Sequence, residues 1–193
     1  MSTRSCIGRI DTKGKVYHIY CHSDGYPDYV GKTLLNHYDT PGKLEELLGL
    51  GSLSCIGPVI GEQVKFSTYH TDLKEEKYEH QCLAYMRDRQ EWCIWNMTKV
   101  TPWEEFTRMS TDQEWVYLMI NGKWFYAPIK RQMIMLEVYP LMRLTKERTE
   151  KEIWNDENGV VEPWGTLFIK NQKKEKYIEP MLIEGIEFKD IFI

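Results

Sequence analysis

The N-terminal part of the chain alternates between short apolar runs and groups of turn-forming residues. Two such runs, 4–10 and 15–22, are separated by Asp11-Thr12-Lys13-Gly14. The glycine can adopt the left-handed conformation that closes a hairpin loop, so the pattern predicts a β-hairpin. Large side chains occupy both the odd and the even positions of the second run, which is typical of a central strand covered on both faces.

Two helices are predicted after this hairpin. Apolar residues recur at the spacing of one helical face between Val30 and Tyr38, and Asp28 is the expected N-cap. Thr40 and Pro41 then place a capping residue before a proline at the first helical position, with an apolar stripe and glycine stop signals after them. This order predicts a second helix.

The middle of the chain predicts a loop, a strand and a short helix. Residues 52–79 are rich in glycine, proline and charge, and indicate loop structure. The segment 80–89 alternates in a way that predicts a strand presenting Arg87 on one face. Thr101 and Pro102 repeat the cap-then-proline order, so a short helix is expected to begin there.

Asn121-Gly122 predicts a second hairpin, because this dipeptide suits a turn that needs positive φ at both central residues. Its strands are expected at 115–120 and 123–129. The C-terminal segment 127–193 changes character, with an interrupted apolar stretch, a charged region and strand-like runs. We interpret it as an extension that packs on the same core.

These elements together predict the α+β class. We expect a mainly antiparallel sheet with two or three short helices packed on it, plus the C-terminal extension of strand and helix. A chain of 193 residues that is 42% hydrophobic can bury one sizeable core. The expected organisation is therefore a motif-bearing α+β core at 1–126 and the extension at 127–193.

Composition excludes several classes. No apolar run approaches the roughly 18 to 20 residues of a membrane span, and the N-terminus lacks the order of a secretory signal. We therefore expect a cytoplasmic protein without a membrane partner. The net charge of −4 gives no overall attraction to nucleic acid. Five cysteines without a CxxC pair predict neither a disulfide framework nor a zinc ribbon.

The aromatic content is high for a core of this size, with seven tryptophans and twelve tyrosines. Such rings give a large contact area with few rotatable bonds, so they are suited to sites for flat ligands or protein partners. Packing within the core is the alternative for each individual ring. An exposed aromatic surface would also allow a homodimer or a higher assembly.

The densest polar cluster follows the second strand. His22 is a candidate acid or base near neutral pH, Asp24 would orient it, and Gly25 allows a close backbone approach. Tyr26 follows directly. The alternative is structural: Asp24 would cap the turn, Gly25 would supply positive φ, and His22 would bond a backbone carbonyl.

An anion-binding wall is expected opposite this cluster. Arg87 lies in the sequence Tyr85-Met86-Arg87-Asp88-Arg89, and arginine is suited to bidentate recognition of phosphate or carboxylate. We include Arg4 and Trp124 in the same wall. The predicted ligand-binding set is therefore His22, Asp24, Gly25, Tyr26, Arg87, Arg4 and Trp124.

Catalytic and metal signals are weak by comparison. His18 and His22 have HxxxH spacing, but in a strand they stand roughly 13 Å apart, too far to share a metal. Cys21 and His22 are adjacent in a strand and point to opposite faces, which argues against a nucleophile-base pair. Serine-hydrolase and phosphate-loop glycine motifs are absent. We expect no metal, no cofactor and no catalytic residue.

Several segments together resemble a widespread family of small proteins encoded by tailed bacteriophages and prophages. The resemblance covers roughly residues 1–126, and many relatives carry Trp where this chain has Ser23. It is carried, in this order, by MSTRSCIG, IYCHSDGYPDYVGKTLLNHY, LEELLGLGSLSCIG, AYMRDRQE and EWVYLMINGKWFY.

The resemblance implies a phage origin and, by association, a role against bacterial defence. The first expectation is a noncatalytic protein that sequesters a nucleotide-type immune signal, with arginine on phosphate and an aromatic ring on a base. A direct inhibitor that binds a host defence protein, as anti-CRISPR proteins do, is the second. A phosphodiesterase that uses His22 and Asp24, with Arg87 on the phosphate and Tyr26 positioning the substrate, is the third.

Overall fold

A computed structural model describes residues 2–64, 80–137 and 141–146 of the chain. The fold is α+β, as the sequence predicts: an eight-stranded mixed sheet with a few short helices. The strands are β1 (Ser5–Ile10), β2 (Lys15–Cys21), β3 (Leu53–Cys55), β4 (Leu83–Ala84), β5 (Lys99–Pro102), β6 (Trp115–Ile120), β7 (Lys123–Pro128) and β8 (Met142–Arg143).

The strand order is β4-β3-β2-β1-β6-β7-β8, and β5 pairs with β2 beside β3. Most pairings are antiparallel, but β1 runs parallel to β6 and β2 runs parallel to β3. The strand β2 is central, as predicted, because β1 lies along one edge and β5 and β3 share the other.

Both predicted hairpins are confirmed. In the first, Asp11 accepts backbone hydrogen bonds from Lys13 and Lys15 at 2.8 and 2.9 Å, and Gly14 has a φ of 71°. In the second, Asn121 and Gly122 have φ values of 49° and 70°. Positive φ at both central residues matches the twist of the flanking strands, so this turn fixes the register of β6 on β7.

The helices are α1 (Lys32–His37), α2 (Pro41–Gly49), α3 (Tyr85–Arg89) and α4 (Trp103–Phe106), with a π-helical turn at Pro27–Gly31 and a 3₁₀ turn at Ile94–Asn96. The N-cap of α2 is confirmed: the Thr40 hydroxyl accepts a hydrogen bond from the backbone N–H of Lys43. Asp28 is not a cap, because it lies inside the π-helical turn, which begins at Pro27 after Tyr26.

Two predictions in the middle of the chain are wrong in detail. The segment 80–89 is not one strand: it forms β4 and then α3, because the Asp88 carboxylate accepts the backbone N–H of Ala84 and closes the first turn. Thr101 does not cap a helix either. It belongs to β5, where its hydroxyl bonds the His18 ring, and α4 starts only after Pro102.

The sheet has a core on each face. The first core packs α1 and α2 against one face and includes Leu34, Leu44 and Tyr117. The second core lies on the opposite face under α4, and includes Val16, Phe106 and Ile134. We call these the α2 face and the α4 face.

The start of the expected extension is continuous with the core. Strand β7 runs through position 127 without a break, β8 pairs with β7, and Leu144 packs in the first core. The strand-like and charged patterns within 147–193 lie outside the described residues, as does 65–79. Within the described ranges, no helix has the length and apolar character needed to cross a membrane.

Candidate functional site

A group of polar and aromatic side chains lies on the α4 face, at the end of the sheet that α4 does not cover. Side chains alternate along β2, so Tyr20 shares a face with His18 and Val16, and His22 continues the series just beyond the strand. Tyr20 pairs with Cys6 of β1, two residues after Arg4. We call Arg4, Tyr20, His22 and Tyr85 the polar cluster.

Tyr20 is the centre of the polar cluster. Its hydroxyl lies 2.7 Å from Nδ1 of His22, and the two rings meet edge to face with centroids 6.0 Å apart. Burial and, to a smaller extent, the Asp112 carboxylate raise the pKa of Tyr20 to about 12, against the lowering effect of the nearby Arg4 guanidinium. Tyr20 is therefore a neutral hydroxyl at physiological pH that contacts the imidazole and lies close to the guanidinium.

Backbone contacts fix the position of Arg4. Its carbonyl accepts hydrogen bonds from the backbone N–H groups of Glu114 and Trp115 at 2.9 and 3.3 Å, and its own N–H donates to the Glu114 carboxylate. The guanidinium lies 3.7 Å from the Asp112 carboxylate and is partly exposed. Arg4 thus carries a positive charge in a site where the neighbouring carboxylates balance most of it.

Tyr85 closes the other side of the cluster. Its phenol is near enough to influence the pKa of Tyr20, and its backbone N–H donates to the Ser52 carbonyl at 3.0 Å. The Arg89 guanidinium stands over its ring at 5.4 Å from the centroid and also pairs with Glu91 at 2.8 Å. An aromatic ring and a second arginine therefore lie on the side away from Arg4.

The backbone around His22 is held firmly. Its N–H donates to the Leu53 carbonyl at 2.9 Å, and its carbonyl accepts from the Ser2 hydroxyl at 2.6 Å. The Ser23 N–H donates to the Ser54 carbonyl at 3.0 Å. The Nδ1 atom of the imidazole faces the Tyr20 hydroxyl and not Asp24. The arrangement therefore presents Nε2 of a fixed, half-buried imidazole.

The positive φ that the structural alternative assigned to Gly25 is found at Asp24 instead. Asp24 is exposed and takes the positive φ, 54°, whereas Gly25 is buried with φ outside that region. A Cβ on Gly25 would lie 2.8 Å from the carbonyl carbon of Arg4 and 2.9 Å from the oxygen of Thr3. The close backbone approach expected at Gly25 is thus made to the N-terminal segment of the chain itself.

Trp124 lies apart from the polar cluster, and Tyr26 is an exposed residue. Tyr26 is 40% exposed and precedes the π-helical turn. Trp124 is 3% exposed and packs in the core of the α2 face, where its Nε1 donates to the Tyr38 carbonyl at 2.8 Å. The expectation that Trp124 lines the site is not supported by this position, because the ring is on the opposite face of the sheet.

Arg87 is fully engaged within the protein. Its Nη1 donates to the carbonyls of Ile60 and Gly61, its Nη2 donates to the carbonyl of Cys82 and to Asp88, and its Nε donates to Asp88. Every N–H of the guanidinium therefore has an intramolecular acceptor. The sequence alone could not show this, since the Ile60 and Gly61 carbonyls come from a distant loop.

His18 and the buried thiols are structural. The ring of His18 contacts the Thr101 hydroxyl at 3.0 Å, the Cys6 sulfur at 3.6 Å and the Phe106 ring. Burial lowers the pKa of His18 to about 4, and burial raises the pKa of the Cys6 thiol to about 12. Among the described residues, no group of three histidine, cysteine or carboxylate side chains is arranged to hold a metal ion.

A second surface was not predicted from the sequence. Between α3 and the end of β5, five large apolar side chains are 51–74% exposed. We call them the aromatic surface: Trp92, Ile94, Trp95, Met97 and Val100. The signal in the sequence is the run EWCIWNM, which has the apolar content of a core segment but matches neither strand nor helix periodicity.

The loop that carries the aromatic surface is anchored from behind. The carbonyl of Asn96 accepts from the Ser52 N–H at 2.7 Å, and the Thr98 hydroxyl donates to the Leu48 carbonyl. The Asn96 side chain donates to the Glu91 carbonyl at 3.0 Å. A fixed backbone therefore holds the apolar side chains in water.

Comparisons with known proteins found no match for this chain among protein-family models, curated proteins or solved structures.

Proposed function

We propose that this protein is a noncatalytic binding protein that holds a small nucleotide-type ligand on the polar cluster. The observation that carries the proposal is the Tyr20 hydroxyl, which lies 2.7 Å from the imidazole of His22 and near the guanidinium of Arg4, at the end of the sheet that α4 does not cover. A neutral hydroxyl, an imidazole edge and a nearby cation suit a ligand that has both a polar base and a phosphate.

The charge balance narrows the ligand class. Asp112 and Glu114 offset the charge of Arg4, and Glu91 pairs with Arg89, so a bare polyphosphate would meet repulsion as well as attraction. A nucleotide of low charge would bind more favourably than a polyphosphate, because Tyr85 and Tyr20 offer ring faces and His22 offers a hydrogen bond to a base edge. Cyclic dinucleotides and adenine dinucleotide derivatives belong to this class.

Two features favour holding the ligand over hydrolysing it. The Nδ1 atom of His22 bonds a tyrosine hydroxyl whose pKa is near 12, so no carboxylate of the described residues orients the ring as a general base. The Arg87 guanidinium has no N–H left to contact a leaving phosphate. The resemblance to phage proteins supports a counter-defence setting, in which sequestering an immune signal would protect the phage.

The test is direct binding of a panel of cyclic dinucleotides, cyclic oligoadenylates and ADP-ribose derivatives, measured by calorimetry. Arg4→Ala removes a charge-assisted contact and should weaken binding by about tenfold or more. Tyr20→Phe should also weaken binding. Arg9→Ala and Tyr17→Phe are matched controls. They make the same two chemical changes in β1 and β2, but on the α2 face, away from the polar cluster. They should leave the affinity unchanged.

Heat release of the bound ligand separates binding from catalysis. Recovery of the intact nucleotide from the denatured protein supports sequestration, whereas recovery of a hydrolysed product would establish an enzyme instead. If no nucleotide of the panel binds, or if Arg4→Ala and Tyr20→Phe bind as well as the unaltered protein, the polar cluster is not the ligand site.

A direct protein inhibitor is the second candidate function, and the aromatic surface is the observation that favours it. A host protein that co-purifies in a fixed ratio from infected cells, and that is lost with Trp95→Glu but retained with Arg4→Ala, would select this function.

A further inference from the structure

The edge of β5 that faces away from β2 has no strand partner among the described residues, and we call it the outer edge. The inner edge pairs antiparallel with β2 through four residues, from Lys15 opposite Pro102 to His18 opposite Lys99. Lys99, Val100 and Pro102 are all exposed. A strand edge of this kind presents backbone N–H and C=O groups that another chain can bind.

The aromatic surface continues directly from this edge. Val100 belongs to β5 itself, and the other four members precede it in the chain. Trp92 and Trp95 are 73% and 74% exposed, which is unusual because burying a tryptophan removes a large apolar area from water. Tryptophan and methionine are enriched at the centres of protein interfaces, and the anchored loop needs no ordering on binding.

The charges beside the edge complement one another. Lys99 is exposed and forms no ion pair with the described residues, and the same holds for Glu104 and Glu105 of α4. Lys99 lies over the α4 face, because it is directly opposite His18 in the antiparallel pair of β2 and β5. The unpaired cation and the unpaired acids therefore lie over one face, at opposite ends of the same short strand.

We propose that two copies of this chain associate through the β5 edges, which pair antiparallel about a two-fold axis, with the aromatic surface buried between them. An axis through Thr101 sets Val100 of each copy opposite Pro102 of the other, and Lys99 opposite Trp103 on the same face. Each lysine then lies next to the Glu104 and Glu105 that follow that tryptophan. The two-fold operation makes both ion pairs at once, so the surface is complementary to itself.

The shape of the edge favours a closed dimer over open-ended assembly. The strand β5 has only four residues, and Pro102 has no N–H to extend the ladder. A two-fold pairing uses the outer edge of both copies and leaves neither edge available. A longer unprotected edge would allow continued addition of chains.

The test compares how charge variants dimerise alone and when mixed, because only this pairing explains loss of the dimer in each variant and its recovery in the mixture. The unaltered protein is expected to be a dimer by light scattering and analytical ultracentrifugation. Lys99→Glu sets three acids around each contact, and the double variant Glu104→Lys with Glu105→Lys sets three cations there. Each of these proteins alone should dissociate about tenfold more readily or worse.

An equimolar mixture of the two charge variants should restore the dimer. In the mixed dimer, the new glutamate meets the new lysines and the remaining lysine meets the remaining acids, so both contacts become attractive. Lys123→Glu alters an exposed lysine in the β6–β7 turn and is the matched control that should remain dimeric. All proteins carry Cys93→Ser, because Cys93 is the one exposed cysteine and a disulfide would imitate association.

Three results would overturn the proposal. The first is a protein that is monomeric at every concentration, and the second is a dimer that both Lys99→Glu and Trp95→Glu leave intact. The third is a monomer that binds lipid vesicles or a host protein through Trp95, which would give the surface another occupant. Circular dichroism checks that each variant is folded. Nucleotide binding at the polar cluster is measured separately, since the dimer does not depend on it.

Discussion

Arg87 and Asp88 are adjacent in the chain and form a two-point ion pair, with Nε 2.9 Å from Oδ1 and Nη2 3.0 Å from Oδ2. The Asp88 side chain is fully buried, and it also accepts the backbone N–H groups of Val64 and Ala84 at 3.0 and 2.7 Å. The pair therefore joins the 60–64 loop to β4 and α3. It explains in structural terms why an arginine and an aspartate occur side by side here.

Asp88→Asn should destabilise the fold by about 2 to 4 kcal/mol, because it removes the buried counter-ion of a partly buried guanidinium. Urea unfolding monitored by circular dichroism measures the change in the free energy of unfolding. Arg89→Ala is the control: it breaks the exposed pair with Glu91 and should cost less than about 1 kcal/mol. Equal effects of the two variants would show that Asp88 has no special structural role.

Gly25→Ala and Gly42→Ala should have opposite effects on stability. A Cβ on Gly25 meets the backbone of Thr3 and Arg4 at distances below 3 Å, so it forces the N-terminal segment to move and should destabilise by about 2 kcal/mol or more. A Cβ on Gly42 of α2 meets nothing within 4 Å, and alanine should add up to about 1 kcal/mol through helix propensity. Thermal unfolding of the two variants compares them directly.

Acid should weaken the fold through His18. Its pKa is about 4 in the folded protein and 6.5 in the unfolded chain, so the unfolded chain binds the proton more tightly. The contribution is fully present above pH 6.5 and is lost as the pH falls through 4, to a total on the order of 3 kcal/mol.

His18→Gln should therefore flatten the dependence of stability on pH in this window. The measurement is the free energy of unfolding in urea at a series of pH values between neutral and mildly acidic. His37→Gln removes an exposed imidazole from α1 and should leave the pH dependence as it is. An unchanged slope in His18→Gln would mean that the pKa of the ring is the same in the folded protein and in the unfolded chain.

Trp124→Phe tests whether this residue belongs to the core or to the ligand site. The substitution removes the hydrogen bond from Nε1 to the Tyr38 carbonyl and part of a buried ring, which should cost about 1 to 3 kcal/mol of stability. The nucleotide affinity of the folded fraction should not change. A loss of affinity at unchanged stability would return Trp124 to the ligand site.

Local signals predicted much of the fold. The turns at Gly14 and at Asn121-Gly122, and the cap at Thr40, are set by the φ preferences and hydrogen-bonding groups of the residues themselves. These features required no knowledge of distant contacts. The central position of β2 followed from large side chains on both of its faces.

Tertiary contacts decided the features that the sequence did not predict. The alternation in 80–89 indicates a strand throughout. Its end is a helix because the Asp88 carboxylate accepts the backbone N–H of Ala84, and Arg87 is held by the carbonyls of Ile60 and Gly61. Trp124 lies on a strand buried on both faces, so alternation cannot assign its side. The pairing of β1 with β6 joins residues far apart in the chain.

The site was predicted in part. His22 and Arg4 lie at the same end of the sheet, as expected, and the residue that lies near both is Tyr20. Its signal was present in the sequence, because positions 20 and 22 share one face of an extended chain. Arg87 and Trp124 are held elsewhere, and Asp24 lies in an exposed turn.

The parallel pairing of β1 with β6 has a consequence for how the chain folds as it is made. The β1–β2 hairpin leaves the ribosome early, but the other edge of β1 must wait for residues 11–114 to be synthesised before β6 can bind it. At about 5 to 20 residues per second, that edge stays open for roughly 5 to 20 seconds. During this interval the nascent chain is open to pairing with neighbouring chains, and slower translation between β2 and β6 would lengthen the exposure.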